Sequence, residues 1–201
     1  MTMMYEKRRT ILTLRNLLYA VLFIGVTIMV GGLINPGLAI ADSAADIDRD
    51  VDSALLKLYA STPAAKELST VAKGILVFPD VVKGGLIIGG QYGKGALRKD
   101  GKTAGYYKTV AASYGLQAGA QEFGYALFFM NNAALEYLNK SKGWEIGVGP
   151  SIVVADAGLA RSLTTSTAKD DIYAFFFSQK GLMAGMGLQG SKISRITPDK
   201  K

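Results

Sequence analysis

Apolar residues follow two different periods along this chain. Between residues 42 and 60 they recur every three to four positions, the period of an amphipathic helix. A second, shorter helix is predicted from Ala64 to Ala72, with Pro63 suited to its start. Residues 42–72 are therefore predicted to be a helical segment that leads into the rest of the domain. The apolar stripe of the first helix comprises Ile47, Val51, Ala54, Leu55 and Leu58.

From Gly74 onward, short apolar runs and a period of two predict strands. Pro79 is expected to end the first strand, because proline cannot donate to a sheet ladder. Asp100-Gly101 predicts a hairpin turn. Another helix is predicted after Asn131 and Asn132, in the segment "AALEYLNKS".

Several predicted strands alternate bulky apolar residues with Gly and Gln. Glycine weakens a strand interior, so its repeated use indicates tight coiling of the sheet or close approach of a helix or another backbone. The predicted fold is α+β: a strongly curved antiparallel sheet, either a sandwich or a partly closed barrel, with the N-terminal helical segment and one or two further packed helices. The alternation is seen in residues 86–92, 116–123, 145–150 and 182–189.

The last of these stretches also contains G-x-G-x-x-G, at Gly185, Gly187 and Gly190. In a dinucleotide-binding loop this motif follows a strand and opens a helix within a βαβ unit. Only eleven residues follow Gly190, and they include Pro198. The motif is therefore predicted to be part of a strand, and no cofactor is expected.

The first forty-one residues have the features of an export signal. Basic residues precede an apolar stretch, Leu17–Ile34, and Pro36-Gly37 follows it. Ala39-Ile40-Ala41 is a small-residue cleavage site, which predicts a cut between Ala41 and Asp42. The alternative is an uncleaved inner-membrane anchor, because eighteen apolar residues are long enough to span a bilayer. Either outcome predicts an exported protein of the periplasm or cell envelope.

Composition excludes several classes of function. The chain has no His and no Cys. It therefore lacks the histidine base of the common nucleophilic triads and the usual side-chain ligands of zinc sites. Asp46, Asp48 and Asp50 resemble a calcium loop, but Val51 and Lys57 stand where that loop needs Gly and Glu. Residues 42–201 hold 19 basic and 15 acidic residues, too small an excess to indicate nucleic acid. No metal, nucleic-acid or enzymatic function is expected.

Three blocks of the chain follow one another in a recognisable order: "AKGILVFPDVVKGGLIIGGQYGKGAL", "SYGLQAGAQEFGYALFFMNNAALEYL" and "FFFSQKGLMAGMGLQGSKI". Together they resemble the SYLF domain, a module of yeast actin-patch proteins and of lipid-binding relatives. The resemblance implies a β-rich domain at residues 73–197, with 198–201 as a tail. It implies phospholipid binding assisted by an N-terminal amphipathic helix, actin binding in some eukaryotic members, and no catalytic residue.

Two functional hypotheses follow. The first is an exported lipid-binding protein of the cell envelope, which associates with phospholipid membrane surfaces. The second is a non-catalytic structural or assembly protein that acts by self-association or by binding an envelope partner. An apolar helix stripe more commonly packs into a core, and that alternative stays open. The residues predicted to contact lipid are Ile47, Val51, Leu55 and Leu58 of the stripe, with Lys57, Lys66, Lys73, Lys83 and Lys94.

Overall fold

The computed structural model of the protein describes residues 42–85, 88–114, 119–140, 143–180, 188 and 190–198. The predicted export signal at 1–41, with its cleavage site after Ala41, lies outside these residues. So does most of the predicted strand through Gly185 and Gly187. The described residues belong to one compact unit.

The described elements are four helices and eight strands. The helices are α1 (Ala44–Ser61), α2 (Pro63–Ser69), α3 (Asn132–Lys140) and α4 (Ala157–Ser162). The strands are β1 (Gly74–Gly85), β2 (Ile88–Lys99), β3 (Lys102–Tyr114), β4 (Gly119–Phe129), β5 (Trp144–Glu145), β6 (Ile152–Val154), β7 (Ile172–Lys180) and β8 (Lys192–Ile196).

The strands form one sheet in the order β5-β8-β3-β2-β1-β4-β7-β6. Neighbouring strands are antiparallel except β6 and β7, which are parallel. The sheet curls strongly into a half-barrel, which confirms the predicted α+β fold with a curved sheet. The two edge strands, β5 and β6, have only two and three residues. Such short edges offer little backbone for pairing with another chain.

Helix α1 begins at Ala44, two residues after its predicted start, and Ser43 caps it. The hydroxyl of Ser43 accepts a hydrogen bond from the backbone N–H of Asp46, and the Asp46 side chain accepts from the Ser43 N–H. This capping box satisfies two N–H groups that the first turn leaves without intrahelical partners. Helix α2 begins at Pro63 but ends at Ser69, three residues before its predicted end.

Side chains from alternate positions of the central strands pack on opposite faces of the sheet. In β4, Ala126 and Phe128 pack with α1 and α2, while Tyr125 and Leu127 belong to the core that includes α3. We call these the α1 face and the α3 face. A strand whose two faces are both covered reads as a continuous apolar run, which explains the sequence "YALFF".

The prediction that Pro79 ends the first strand is wrong. Strand β1 continues through Pro79 to Gly85, and its pairing shifts register between Val77 and Asp80 along β2. The pairing with β4 shifts between Phe78 and Val81. Such a shift marks a β-bulge, where a residue without an N–H costs no ladder bond.

The prediction of an alternating strand at residues 145–150 is also wrong. Strand β5 stops at Glu145, and Gly147 and Gly149 have φ angles of 105° and 94°. These left-handed angles suit glycine and belong to a turn. The predicted hairpin is confirmed, because Asp100 and Gly101 have φ angles of 50° and 74° between β2 and β3. Two positive φ angles are the signature of a type I′ hairpin turn.

Candidate functional site

Two aspartates of α1 are held by a buried arginine of the sheet. Arg98 of β2 donates to Asp48 Oδ1 at 2.9 Å and to Asp52 Oδ1 at 2.6 Å. The Arg98 guanidinium also donates to Thr103 and to the Asp48 carbonyl oxygen. Only a tenth of the Arg98 side chain is exposed, and these acceptors offset part of the cost of its burial, while its Nε has no hydrogen-bond partner among the described residues. The network ties α1 to the β2–β3 hairpin.

Tyr106 extends this network from β3. Its hydroxyl donates to Asp48 Oδ2 at 2.8 Å. Burial raises the pKa of Tyr106 above its usual value, and the hydrogen bond to Asp48 adds to this effect. The hydroxyl therefore keeps its proton at neutral pH and acts as a donor. Asp48 and Asp52 of the acidic run thus contact the sheet, while Asp46 caps the helix.

The apolar stripe predicted to meet lipid is covered by the sheet. Ile47, Val51 and Leu58 are almost fully buried on the α1 face, and Leu55 is half-buried against the same core. Sheet residues such as Val77 and Phe128 supply the apolar surface that covers them. In this arrangement the stripe takes the position expected for a core stripe, and any lipid contact of these residues stays a prediction.

The predicted lysines do not form one site. Lys57, Lys66 and Lys73 are exposed on α1, on α2 and just before β1. Lys83 and Lys94 are half-buried on the sheet. In the strand register, Lys83 lies opposite Gln91, whereas Lys94 lies opposite Lys108. Of the five, only Lys94 lines a pocket with Lys108.

Three large apolar residues form an exposed row across neighbouring strands. Val82 of β1 lies opposite Tyr92 of β2, and Tyr92 lies opposite Val110 of β3. Their exposed fractions are 55%, 48% and 41%. We call them the open row. Tyr92 and Lys94 are two positions apart on β2, so their side chains lie on the same face of the sheet. Lys94 forms an ion pair with Asp42, which directly precedes α1, and the row therefore lies on the α1 face.

A small pocket adjoins the open row. Lys94 and Lys108 lie directly opposite each other on β2 and β3, and Lys94 Nζ lies 3.2 Å from Asp42 Oδ2. We call this concavity, with its volume of about 180 Å³, the lysine pocket. It is lined by Asp42, Ile47, Tyr92, Lys94, Lys108, Ile196, Thr197 and Pro198.

Sequence reasoning missed Tyr92, Val110 and Lys108. The period of two places Tyr92 on an apolar face of β2, but it does not show that α1 leaves this part of the face uncovered. The pairing of Lys94 with Lys108 depends on the register between β2 and β3. If residues are paired outward from the Asp100-Gly101 turn without a bulge, the predicted partner of Lys94 is one position away from Lys108. The reason is that the register between β2 and β3 shifts between Leu97 and Arg98.

Within the ranges that the structure describes, no helix has both the length and the apolar character needed to cross a membrane. The same ranges contain no group of three or more acidic side chains placed to hold a metal ion.

Residues 110–199 match the model of the Ysc84 family, described as "Las17-binding protein actin regulator". This part of the chain is therefore similar to the SYLF (Ysc84) domain. The match confirms the resemblance and covers its second and third sequence blocks, while the first block precedes the matched range. No curated protein matches the chain. Val110 lies inside the matched range of the SYLF domain, whereas Val82, Tyr92 and both lysines of the pocket lie before it.

Proposed function

We propose that this protein associates with phospholipid membrane surfaces and performs no catalysis. Its similarity to the SYLF (Ysc84) family suggests lipid binding or an actin-patch-related role. The observation that carries the proposal is the open row, because it leaves three large apolar side chains in water beside lysines. Contiguous exposed apolar surface of this kind is typical of an interaction site.

The chemistry of the open row suits the membrane interface. Tyrosine places its ring at headgroup depth with its hydroxyl in water, and lysine extends its ammonium towards lipid phosphates. The row also lies on β-strands, which hold it in position without the α1 stripe being released. We further propose export to the cell envelope, which rests on the signal-like pattern of residues 1–41. Export would separate the chain from cytoplasmic actin, so we do not propose actin binding.

The vesicle experiment uses a fragment of residues 35–201. The full chain carries the apolar stretch Leu17–Ile34, which would bind vesicles by itself. The described core residues lie between Ile47 and Ile193, so the fragment keeps both hydrophobic clusters and the whole described sheet. A segment with its own core is expected to fold alone.

The proposal is tested by co-sedimentation of this fragment with vesicles. One set contains equal parts of phosphatidylglycerol and phosphatidylcholine, and the other contains phosphatidylcholine alone. We expect binding to the first set and about tenfold weaker binding for the triple variant Val82→Thr, Tyr92→Thr and Val110→Thr, because apolar burial is lost. Threonine preserves strand propensity. The matched control changes three exposed valines elsewhere: Val71→Thr, Val148→Thr and Val154→Thr.

Absence of wild-type binding, or equal binding by wild type and the row variant, would contradict the proposal. Light scattering without vesicles separates the second hypothesis. A wild-type dimer that becomes monomeric in the row variant, together with no vesicle binding, would assign the open row to self-association.

A further inference from the structure

The lysine pocket holds more positive charge than its carboxylates neutralise. Like charges directly opposite each other on neighbouring strands repel, and the half-buried positions of Lys94 and Lys108 reduce screening by water. Lys99 and Lys102 form a second such pair, but both are exposed beside the hairpin turn. The pair in the pocket therefore differs from the exposed pair by its enclosure.

The carboxylates near the pocket are associated with Lys94. Asp42 forms an ion pair with Lys94, and Asp80 of β1 is the register partner of Lys94 on its other side. Lys108 instead lies between Lys94 and Ser194. Among the residues that the structure describes, no carboxylate forms an ion pair with Lys108. One ammonium group on the wall of the pocket thus lacks an anionic partner.

We propose that the lysine pocket binds a phosphate group between Lys94 and Lys108, and that the Asp42 carboxylate competes for the same place. Lysine is a common phosphate ligand that acts as a point charge. The volume of about 180 Å³ is several times the roughly 30 Å³ occupied by a water molecule, which leaves room for a tetrahedral anion. Tyr92 and Thr197 add hydroxyl groups to the lining.

Asp42 is placed so that a phosphate could displace its carboxylate from Lys94. Its side chain is half exposed, and its ion pair with Lys94 at 3.2 Å is partly open to water. Exposed pairs of this kind contribute little to stability, so displacement by a doubly charged anion costs little. Removal of the Asp42 charge should therefore strengthen phosphate binding, whereas removal of the lysine charges should weaken it.

This inference deepens the proposed function, and only its lipid arm rests on that function. Tyr92 belongs to both the open row and the lysine pocket. A phospholipid whose phosphate entered the pocket would have its glycerol and acyl carbons beside the row. A free phosphate or soluble phosphate ester would use the same lysines without the row.

Binding is measured on the fragment 35–201, which keeps Asp42 inside an ordinary peptide bond. Inorganic phosphate and glycerol 3-phosphate are titrated while the amide signals of Lys94, Lys108 and Thr197 are followed by NMR. We expect saturable shifts, about tenfold weaker binding in Lys94→Gln/Lys108→Gln, and severalfold tighter binding in Asp42→Asn. The charge-matched controls, Lys99→Gln/Lys102→Gln and Asp100→Asn, should bind as the wild type does.

The same variants are then tested on vesicles with phosphatidylglycerol. Weaker vesicle binding by the Lys94/Lys108 variant, but not by its control, would identify a lipid phosphate as the ligand. Phosphate binding combined with unchanged vesicle binding would identify a soluble phosphate. Absence of saturable shifts, or equal effects of the pocket and control variants, would overturn the phosphate site. Wild-type vesicle binding in that case would leave the proposed function standing.

Discussion

At single positions in β2 and β4, glycine is required because another chain segment comes too close for a side chain. A Cβ atom on Gly95 would overlap the carbonyl oxygen of Val77, and one on Gly93 would lie 2.9 Å from that of Asp80. A Cβ on Gly124 would overlap the ring of Phe177. These glycines surround the bulge at Pro79 and lie outside the four alternating stretches of the sequence, so the close approach is found at glycines that the pattern did not single out.

Gly95→Ala is therefore expected to destabilise the fold. The added methyl meets backbone, which cannot rotate away, so we expect a loss of about 2–3 kcal/mol in the free energy of unfolding. Gly90→Ala is the matched control in the same strand, because its nearest neighbour lies at an ordinary 3.8 Å. Urea unfolding of both variants measures the difference. Similar losses at the two positions would contradict the close-approach account.

Asp171 is a second residue whose contacts join several segments. Its carboxylate accepts from the Ser151 backbone N–H at 2.9 Å and from the Asn131 side chain at 2.7 Å. Asn131 in turn accepts from the N–H of Ala134 in the first turn of α3. The backbone hydrogen bond from Ser151, followed by that from Asn131, lowers the pKa of Asp171.

This shift makes part of the stability depend on pH. Because the folded pKa is lowered, the stabilisation is present above about pH 4 and is lost as the pH falls through the folded value. Asp171→Asn should cost about 1–2 kcal/mol at pH 6, and its difference from wild type should shrink towards pH 3. Urea unfolding across this range checks the trend, with Asp100→Asn as control. A difference that does not change with pH would refute it.

Among the elements, α1 contacts the sheet through both its apolar side chains and its aspartates. Its apolar side chains enter the core of the α1 face, while Asp48 and Asp52 hold the Arg98 guanidinium at one border of that core. Sequence periodicity predicted the helix and its stripe correctly. It could not distinguish a sheet from a membrane as the apolar surface that meets the stripe, because both bury the same residues.

Two leucines of α1 separate these possibilities. Leu58 is 1% exposed and Leu56 is 71% exposed. Leu58→Ala should lower the free energy of unfolding by about 2–4 kcal/mol, because it leaves a cavity against the sheet. Leu56→Ala should change it by less than about 0.5 kcal/mol. Urea unfolding of the 35–201 fragment compares them, and a small loss for both would mean that the stripe is not packed on the sheet in solution.

For the whole molecule, local signals predicted most elements and failed where long-range pairing decides. The Asp100-Gly101 turn is a local feature, and it was predictable from its own two residues. The passage of β1 through Pro79 was not, because the bulge exists only opposite β2 and β4. The turn at Gly147 likewise follows from where β5 stops pairing with β8.

The candidate site shows the same limit. Lys94 was predicted as a ligand-contact residue from its charge alone, but its neighbours Lys108 and Asp42 come from β3 and from the chain before α1. Val82, Tyr92 and Val110 are scattered in sequence and become one row only through the sheet register. Register is set by pairing over the length of strands, so a single segment does not contain it.

By itself the sequence determined the α+β class, the presence of α1 and its apolar stripe, the main hairpin and the resemblance to the SYLF domain. These depend on side-chain period and turn chemistry, which act over a few residues. Only the tertiary structure decided that the α1 stripe is covered, that Tyr92 is left open and that two lysines share a pocket. Those outcomes depend on which distant surfaces meet, because burial is a property of the assembled sheet and helices.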